Sequence, residues 1–283
     1  MSTGSATLHC PCGEGHFEPR FQYDERPAGE TVFPLDGEYN RRFDRCAACG
    51  HWLARHGYDL SVLYEGDYVA NTYGDRMAAT FERVMGLPPD RSDNHHRSLW
   101  VDGFMRARLG DRASKPTLLD IGAGLGVFPA RMATLGWDCV ALDPDPGAAE
   151  HLRIRAGVKS VCGDIFHVDI AALGTYDLVS LNKVIEHVPD PLAMLAWVRP
   201  LVASGGALYV EVPDGEAAAR EGKDREEFFI EHYHAFSAAS LSALAMRAGY
   251  DCLLMETVRE PSTKFTLRAF LGPSPFAPNT SKE

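Results

Sequence analysis

The chain has 283 residues, 45% of them hydrophobic and 24% charged, which suits a soluble globular protein with one large domain and room for a small companion. Twenty-eight Lys and Arg against 39 Asp and Glu give a formal charge of −11, so the chain lacks the broad positive field that non-specific nucleic-acid binding needs. No run of about 18 apolar residues suggests a membrane span, and the opening Met-Ser-Thr-Gly-Ser-Ala-Thr has no charged segment leading into an apolar core. The expected partner is a small molecule, with no nucleic acid and no membrane, in the cytoplasm, where thiols stay reduced. The oligomeric state cannot be read from the sequence.

Residues 1–56 are rich in Cys, Gly, His and aromatics and poor in periodic apolar runs, as expected of a small module held by a metal rather than by a core. Cys46-Ala-Ala-Cys49-Gly50 is one half of a zinc knuckle: two thiolates within reach of one ion, then a glycine for the turn. The other half, His9-Cys10-Pro11-Cys12-Gly13, is one residue short, so the fourth ligand is either Cys10 or His9, with Cys10 preferred and His16 and His51 as outside candidates. Four protein ligands (Cys10, Cys12, Cys46 and Cys49) would close a tetrahedral, structural zinc site. Cys139, Cys162 and Cys252 stand alone and read as small core residues.

Residues 57–113 carry helical patterns interrupted at Leu87-Pro-Pro-Asp90 and form a lid or linker. From residue 114 to 272 strands and helices alternate. Strands are expected at Thr117–Ile121, Asp138–Leu142, Val158–Cys162, Tyr176–Leu181 and Ala207–Val212, and helices at Leu125–Leu135, Pro146–Ala156, Pro191–Val202 and Ser237–Ala248. The third of these helices is expected to stop near Gly205-Gly206, and the fourth to be capped by Ser237. Tyr250–Val258 and Lys264–Leu271 should pair as an antiparallel hairpin. The fold class is therefore α/β, a doubly wound, mostly parallel sheet, followed by a flexible tail over 273–283.

Asp120-Ile-Gly122-Ala123-Gly124-Leu-Gly126 follows a buried strand and opens a helix. Its glycines allow a tight turn and close approach of a ligand at the carboxyl edge of the sheet. The spacing is not that of the dinucleotide fingerprint, because Val127 occupies the third glycine position. Asp120 would repel a pyrophosphate and suits a cationic amino group. Asp143, followed by Pro144, ends the next strand and can accept two ribose hydroxyls. Asp164, beside Ile165, can receive an adenine amino group while the isoleucine covers the ring.

Three acids at successive strand ends resemble the cofactor site of class I S-adenosylmethionine-dependent methyltransferases over residues 117–212, with Asn182–Pro191 similar to the segment after the fourth strand. The resemblance implies a seven-stranded sheet and S-adenosyl-L-methionine as cofactor. With the cysteine module in front, the chain resembles the zinc-module deoxysugar C-methyltransferases. In that family, segments similar to Leu63–Tyr68 and Phe228–His232 line the acceptor cleft, which implies Tyr68, His187, Glu231 and His232 as active-site residues, His232 as the base. Histidine suits proton removal near neutrality. His232 and His234 should face the same way if the segment is extended, and for His234 a role in fixing the loop weighs equally. That family also carries a C-terminal domain contacting the sugar nucleotide, and this sequence ends soon after the sheet. The expected reaction is methyl transfer to a sugar or natural-product hydroxyl or carbon, with an RNA-modifying enzyme or a non-catalytic scaffold as alternatives.

Overall fold

The computed structural model describes residues 8–32, 37–58, 77–112 and 114–276. Tyr68, its neighbours in Leu63–Tyr68 and the tail beyond 276 lie outside the described residues. The larger sheet has seven strands: β4 (Thr117–Ile121), β5 (Asp138–Asp143), β6 (Lys159–Cys162), β7 (Tyr176–Asn182), β8 (Val202–Pro213), β10 (Tyr250–Arg259) and β11 (Phe265–Pro273). Its order is β10-β11-β8-β7-β4-β5-β6. The β7-β4-β5-β6 strands and the β7–β8 pair are parallel, while β11 lies antiparallel to both β8 and β10. The closing hairpin thus forms as the sequence predicts.

Central strands are continuous apolar runs because both faces are covered. On one face Leu119, Ile121, Leu181 and Val210 pack with α6 (Pro191–Val198) and α8 (Ala238–Arg247); on the other Leu118, Leu178 and Tyr209 pack with α2 (Asp93–Leu109) and α3 (Val127–Thr134). Ser237 caps α8 in a reciprocal capping box with Ser240. One boundary differs from expectation. The helix from Pro191 gives way to a single 3-10 turn over Arg199–Leu201, and Gly205 and Gly206 lie inside β8. Pro200 is the reason: it offers no N–H to an α-helical ladder. The segment from residue 273 is also ordered through 276, where the Ser274 N–H bonds to the Gly249 carbonyl at 2.9 Å. Cys139 is buried as expected, but Cys162 and Cys252 are exposed.

The N-terminal strands β1 (Phe17–Tyr23), β2 (Arg41–Cys46) and β3 (Trp52–Arg55) form an antiparallel sheet. Its fourth strand, β9 (His234–Ala235), comes from the far end of the chain. Tyr23, Phe43 and Trp52 share a core with Phe228 and Ala235. A Cβ on Gly215 would come within 2.5 Å of Trp52 Cδ1, so only glycine allows the module to seat this closely. Strands β1, β2 and β3 are therefore built into the larger body. Among the described residues, no helix is long and apolar enough to cross a membrane.

Candidate active site

The turn after β4 uses its three glycines differently. All three have positive φ: 68° at Gly122, 51° at Gly124 and 71° at Gly126. A Cβ on Gly122 would strike Val184 Cγ2 at 2.8 Å, and one on Gly126 would strike Leu152 Cδ2 at 2.4 Å. Gly124 meets nothing within 4 Å. Gly126 therefore serves helix packing, and Gly124, with Ala123 beside it, presents open backbone at the carboxyl edge of the sheet.

The acids also divide. Asp120 is 2% exposed, and its Oδ1 accepts the Ser180 hydroxyl. Burial pushes its carboxyl up to about 7. Its side-chain bond runs to β7, so it ties the two strands together just before the glycine turn. Asp143 ends β5 at the carboxyl edge of the sheet, where it too is buried and its carboxyl is raised by burial. Its Oδ2 accepts from Gly124 N at 2.8 Å and its Oδ1 from Asp145 N at 3.0 Å. These bonds fix the carboxylate and leave a lone pair on each oxygen. Asp164 is exposed and accepts from Phe166 N at 2.9 Å, with His167 Nδ1 also at 2.9 Å; Ile165 is buried and its carbonyl accepts from Trp197 Nε1.

At the end of β7, Asn182 holds a buried side-chain oxygen with no hydrogen-bond partner. Lys183 follows with a φ of 60°, unusual for a non-glycine residue. A buried acceptor without a donor is costly, and its place beside the glycine turn fits an incoming cationic amino group.

The chain then turns through Ile185–His187 and meets residues 229–233. The bonds that cross this junction include Tyr233 N to the Glu186 carbonyl at 2.8 Å and His187 Nδ1 to the Glu231 carbonyl at 2.9 Å. His232 Nδ1 lies 3.0 Å from the Glu227 carbonyl, and the His187 and His232 ring centroids are 4.8 Å apart. Burial, and for His232 the neighbouring imidazole, lowers both histidines, so they are neutral at neutral pH. Burial raises Glu231 and pushes the enclosed Glu186 up to about 7.

The segment is not extended as the parity argument assumed: His232 N bonds to the Phe229 carbonyl, closing a turn. His234 consequently points elsewhere. Its Nδ1 lies 3.0 Å from His51 Nε2, His51 Nδ1 lies 3.1 Å from Ser240 Oγ, and His234 Nε2 lies 3.4 Å from the Pro189 carbonyl. Both rings are fully enclosed. His234 thus fixes the loop, and His51 belongs to this buried chain rather than to the cysteines. Glu30 was not foreseen. Buried against Arg41 at 2.7 Å, it accepts the Ile230 N–H at 3.2 Å, two residues from His232.

Cys10, Cys12, Cys46 and Cys49 converge, each Sγ within 4.8 Å of the others. The Cys10–Cys12, Cys10–Cys49 and Cys12–Cys46 separations are 3.3, 3.4 and 3.8 Å. Bonds of about 2.3 Å to a tetrahedral zinc ion would set sulfur atoms about 3.8 Å apart, so the donor set fits that ion. His9 is exposed and outside this group.

A sheet in this order, with a glycine turn and acids at its carboxyl edge, is the class I S-adenosylmethionine-dependent methyltransferase fold. The chain belongs to the methyltransferase-domain family, whose profile matches residues 93–254. Among curated proteins it is similar to the ubiquinone biosynthesis O-methyltransferase of Paraburkholderia xenovorans, 34% identical over 121 residues, covering 41% of this chain and 50% of the relative. It is likewise similar to the enzyme of the same name from Cereibacter sphaeroides, 39% identical over 95 residues, covering 32% and 38%. The chain thus matches about half the length of these relatives or less. Among solved structures, the magnesium protoporphyrin IX methyltransferase of Synechocystis with bound S-adenosylhomocysteine superposes with a TM-score of 0.54 at 17% identity, covering 75% of this chain and 99% of that one. The 1,6-didemethyltoxoflavin-N1-methyltransferase of Burkholderia thailandensis gives 0.50 at 19% identity, covering 78% and 96%. At such identities the likeness concerns the fold.

Proposed function

We propose that the chain transfers a methyl group from S-adenosylmethionine to a small-molecule acceptor, a sugar or natural-product hydroxyl or carbon, with His232 as the base. The observation that carries this reading is the tautomer of the histidine pair. A backbone carbonyl only accepts hydrogen bonds, so His187 and His232 keep their protons at Nδ1 and their lone pairs at Nε2. Such a lone pair can take a proton from a hydroxyl or a carbon acid, which supports the reading. When bound, the cofactor supplies a methyl group on a positively charged sulfur. The chain's share is to hold it: Asp143 offers its remaining lone pairs to the ribose, Asn182 its unmet oxygen to the amino group, and Gly122, Ala123, Gly124 and Pro144 the turn that lets it approach. Asp164 and Ile165 flank the adenine side.

Glu231 supports the pair through its carbonyl, and Tyr68 is a candidate on the acceptor side. The converging cysteines hold a structural zinc ion in this reading, and their module braces the loop that carries His232. An acceptor that is a small molecule agrees with the net charge of −11.

The test is release of S-adenosylhomocysteine over a panel of deoxysugars, phenols and enolisable ketones, with the wild type and His232→Ala compared on any acceptor that turns over. The variant should lose turnover while calorimetry shows unchanged affinity for S-adenosylhomocysteine. Near-full activity in the variant removes His232 as base, and failure to bind S-adenosylhomocysteine removes the whole reading.

A further inference from the structure

Glu186 has no task in the cofactor site, yet it lies against the histidine pair. One carboxylate oxygen of Glu186 and one ring nitrogen each of His187 and His232 fall within 4.8 Å of one another. Two independent features set this trio apart from a chance neighbourhood. Glu186 is 1% exposed and its Oε2 has no hydrogen-bond partner, so a buried acceptor stands unmet within the cluster. Both imidazoles are also held by backbone carbonyls at Nδ1, at 2.9 Å and 3.0 Å. That outer bond fixes ring orientation and leaves Nε2 as the lone-pair nitrogen, which is how proteins prepare histidines for metal ions.

We propose that Glu186, His187 and His232 form a second metal site, separate from the cysteine cluster, that takes a first-row transition-metal dication, and that its occupancy silences methyl transfer. Two imidazoles with one carboxylate suit Zn2+, Co2+, Ni2+ or Fe2+, whereas Mg2+ and Ca2+ call for oxygen donors. Two ligand bonds of about 2.1 Å span at most about 4.2 Å, so slight closure of the two rings completes the contact. The cross-links from Tyr233 N to Glu186 O and from His187 Nδ1 to Glu231 O hold the two backbone segments in register for it. Three protein ligands leave coordination positions open. Silencing follows from shared electrons and rests on His232 being the base: a lone pair given to a metal ion cannot also accept a proton.

The experiment loads the full chain with one equivalent of Zn2+, which the four thiolates take first, and then titrates Co2+ while recording visible absorption. One further Co2+ per chain should bind, with a spectrum free of thiolate-to-cobalt charge transfer. Glu186→Gln and His187→Asn should each weaken that binding at least about tenfold, the loss of one ligand, with S-adenosylhomocysteine affinity unchanged as the check that each variant is folded. Turnover of any acceptor found in the panel should fall in proportion to bound Co2+ and return on chelation. Absence of that Co2+, or binding in both variants equal to the wild type, overturns the site. Binding of Co2+ with turnover kept or raised overturns the silencing and His232 as base, and leaves the metal site standing.

Discussion

Asp120 and Asp143 stand on the adjacent strands β4 and β5, and their hydrogen-bond partners differ. Asp120 is enclosed, held by Ser180, and pushed by burial from 3.8 to about 7. An acid whose carboxyl is raised in the fold favours the fold when protonated. Its contribution is whole below about pH 3.8 and is lost as pH climbs through about 7. Asp120→Asn should flatten this dependence: thermal unfolding midpoints measured from pH 4 to 8 should fall less steeply in the variant than in the wild type. A parallel pair of curves would assign the slope to other groups. The order of acids along the chain was legible in the sequence, but their depth was not. Whether a carboxylate at a strand end faces the ligand or the next strand is decided by what covers the sheet, and that covering comes from distant residues. Ser180 lies 60 positions from Asp120, and no local pattern announces it.

At the scale of elements, the glycine turn makes a prediction that separates packing from binding. Gly126→Ala places a Cβ 2.4 Å from Leu152 Cδ2 at a φ of 71°. The left-handed backbone and the overpacking together should cost about 2–4 kcal/mol, read as a lower denaturant midpoint with an unchanged slope. Unaltered stability would show that α3 can shift to make room. The alternation of strands and helices was readable from periodicity, and most strand boundaries agree within a residue or two. Two local features were not. The helix after Pro191 ends at a proline rather than at the glycine pair, and the 229–232 turn defeats the two-residue parity that would have put His232 and His234 side by side. Their partners, Glu227 O and His51 Nε2, are different, and each partner is fixed by tertiary packing.

For the whole molecule, the N-terminal module and the methyltransferase sheet act on one another through the loop that carries the histidines. Glu30 holds Ile230 N, the Ser237 hydroxyl donates to the Cys49 carbonyl, and the Tyr23 hydroxyl donates to the Lys223 carbonyl at 2.6 Å. Stripping the proposed zinc with a chelator should therefore reach the active site. Hydrogen exchange should quicken across residues 228–237 and stay unchanged in β4 and β7, and turnover should fall while affinity for S-adenosylhomocysteine is kept. Uniform protection after chelation would show that the cysteines do not brace this loop. The knuckle was visible in the sequence as a cysteine pattern. The bracing was not, because Glu30 and Ile230 stand 200 positions apart.

The two-residue strand β9 has a consequence for how the molecule comes into being. Trp52 and Leu53 pair with Ala235 and His234, so the small sheet cannot be finished until residue 235 has left the ribosome. Contacts of such long sequence separation form late, because loop closure must come first. Strands β1–β3 emerge well before β9 and wait for it. During that interval the edge of β3 is an unpaired strand, and the pairing of β1, β2 and β3 together with any metal ion gripped by the cysteines would have to hold the module. If the cysteines hold zinc, metal supplied during synthesis should raise the yield of folded protein above that obtained when metal is added afterwards.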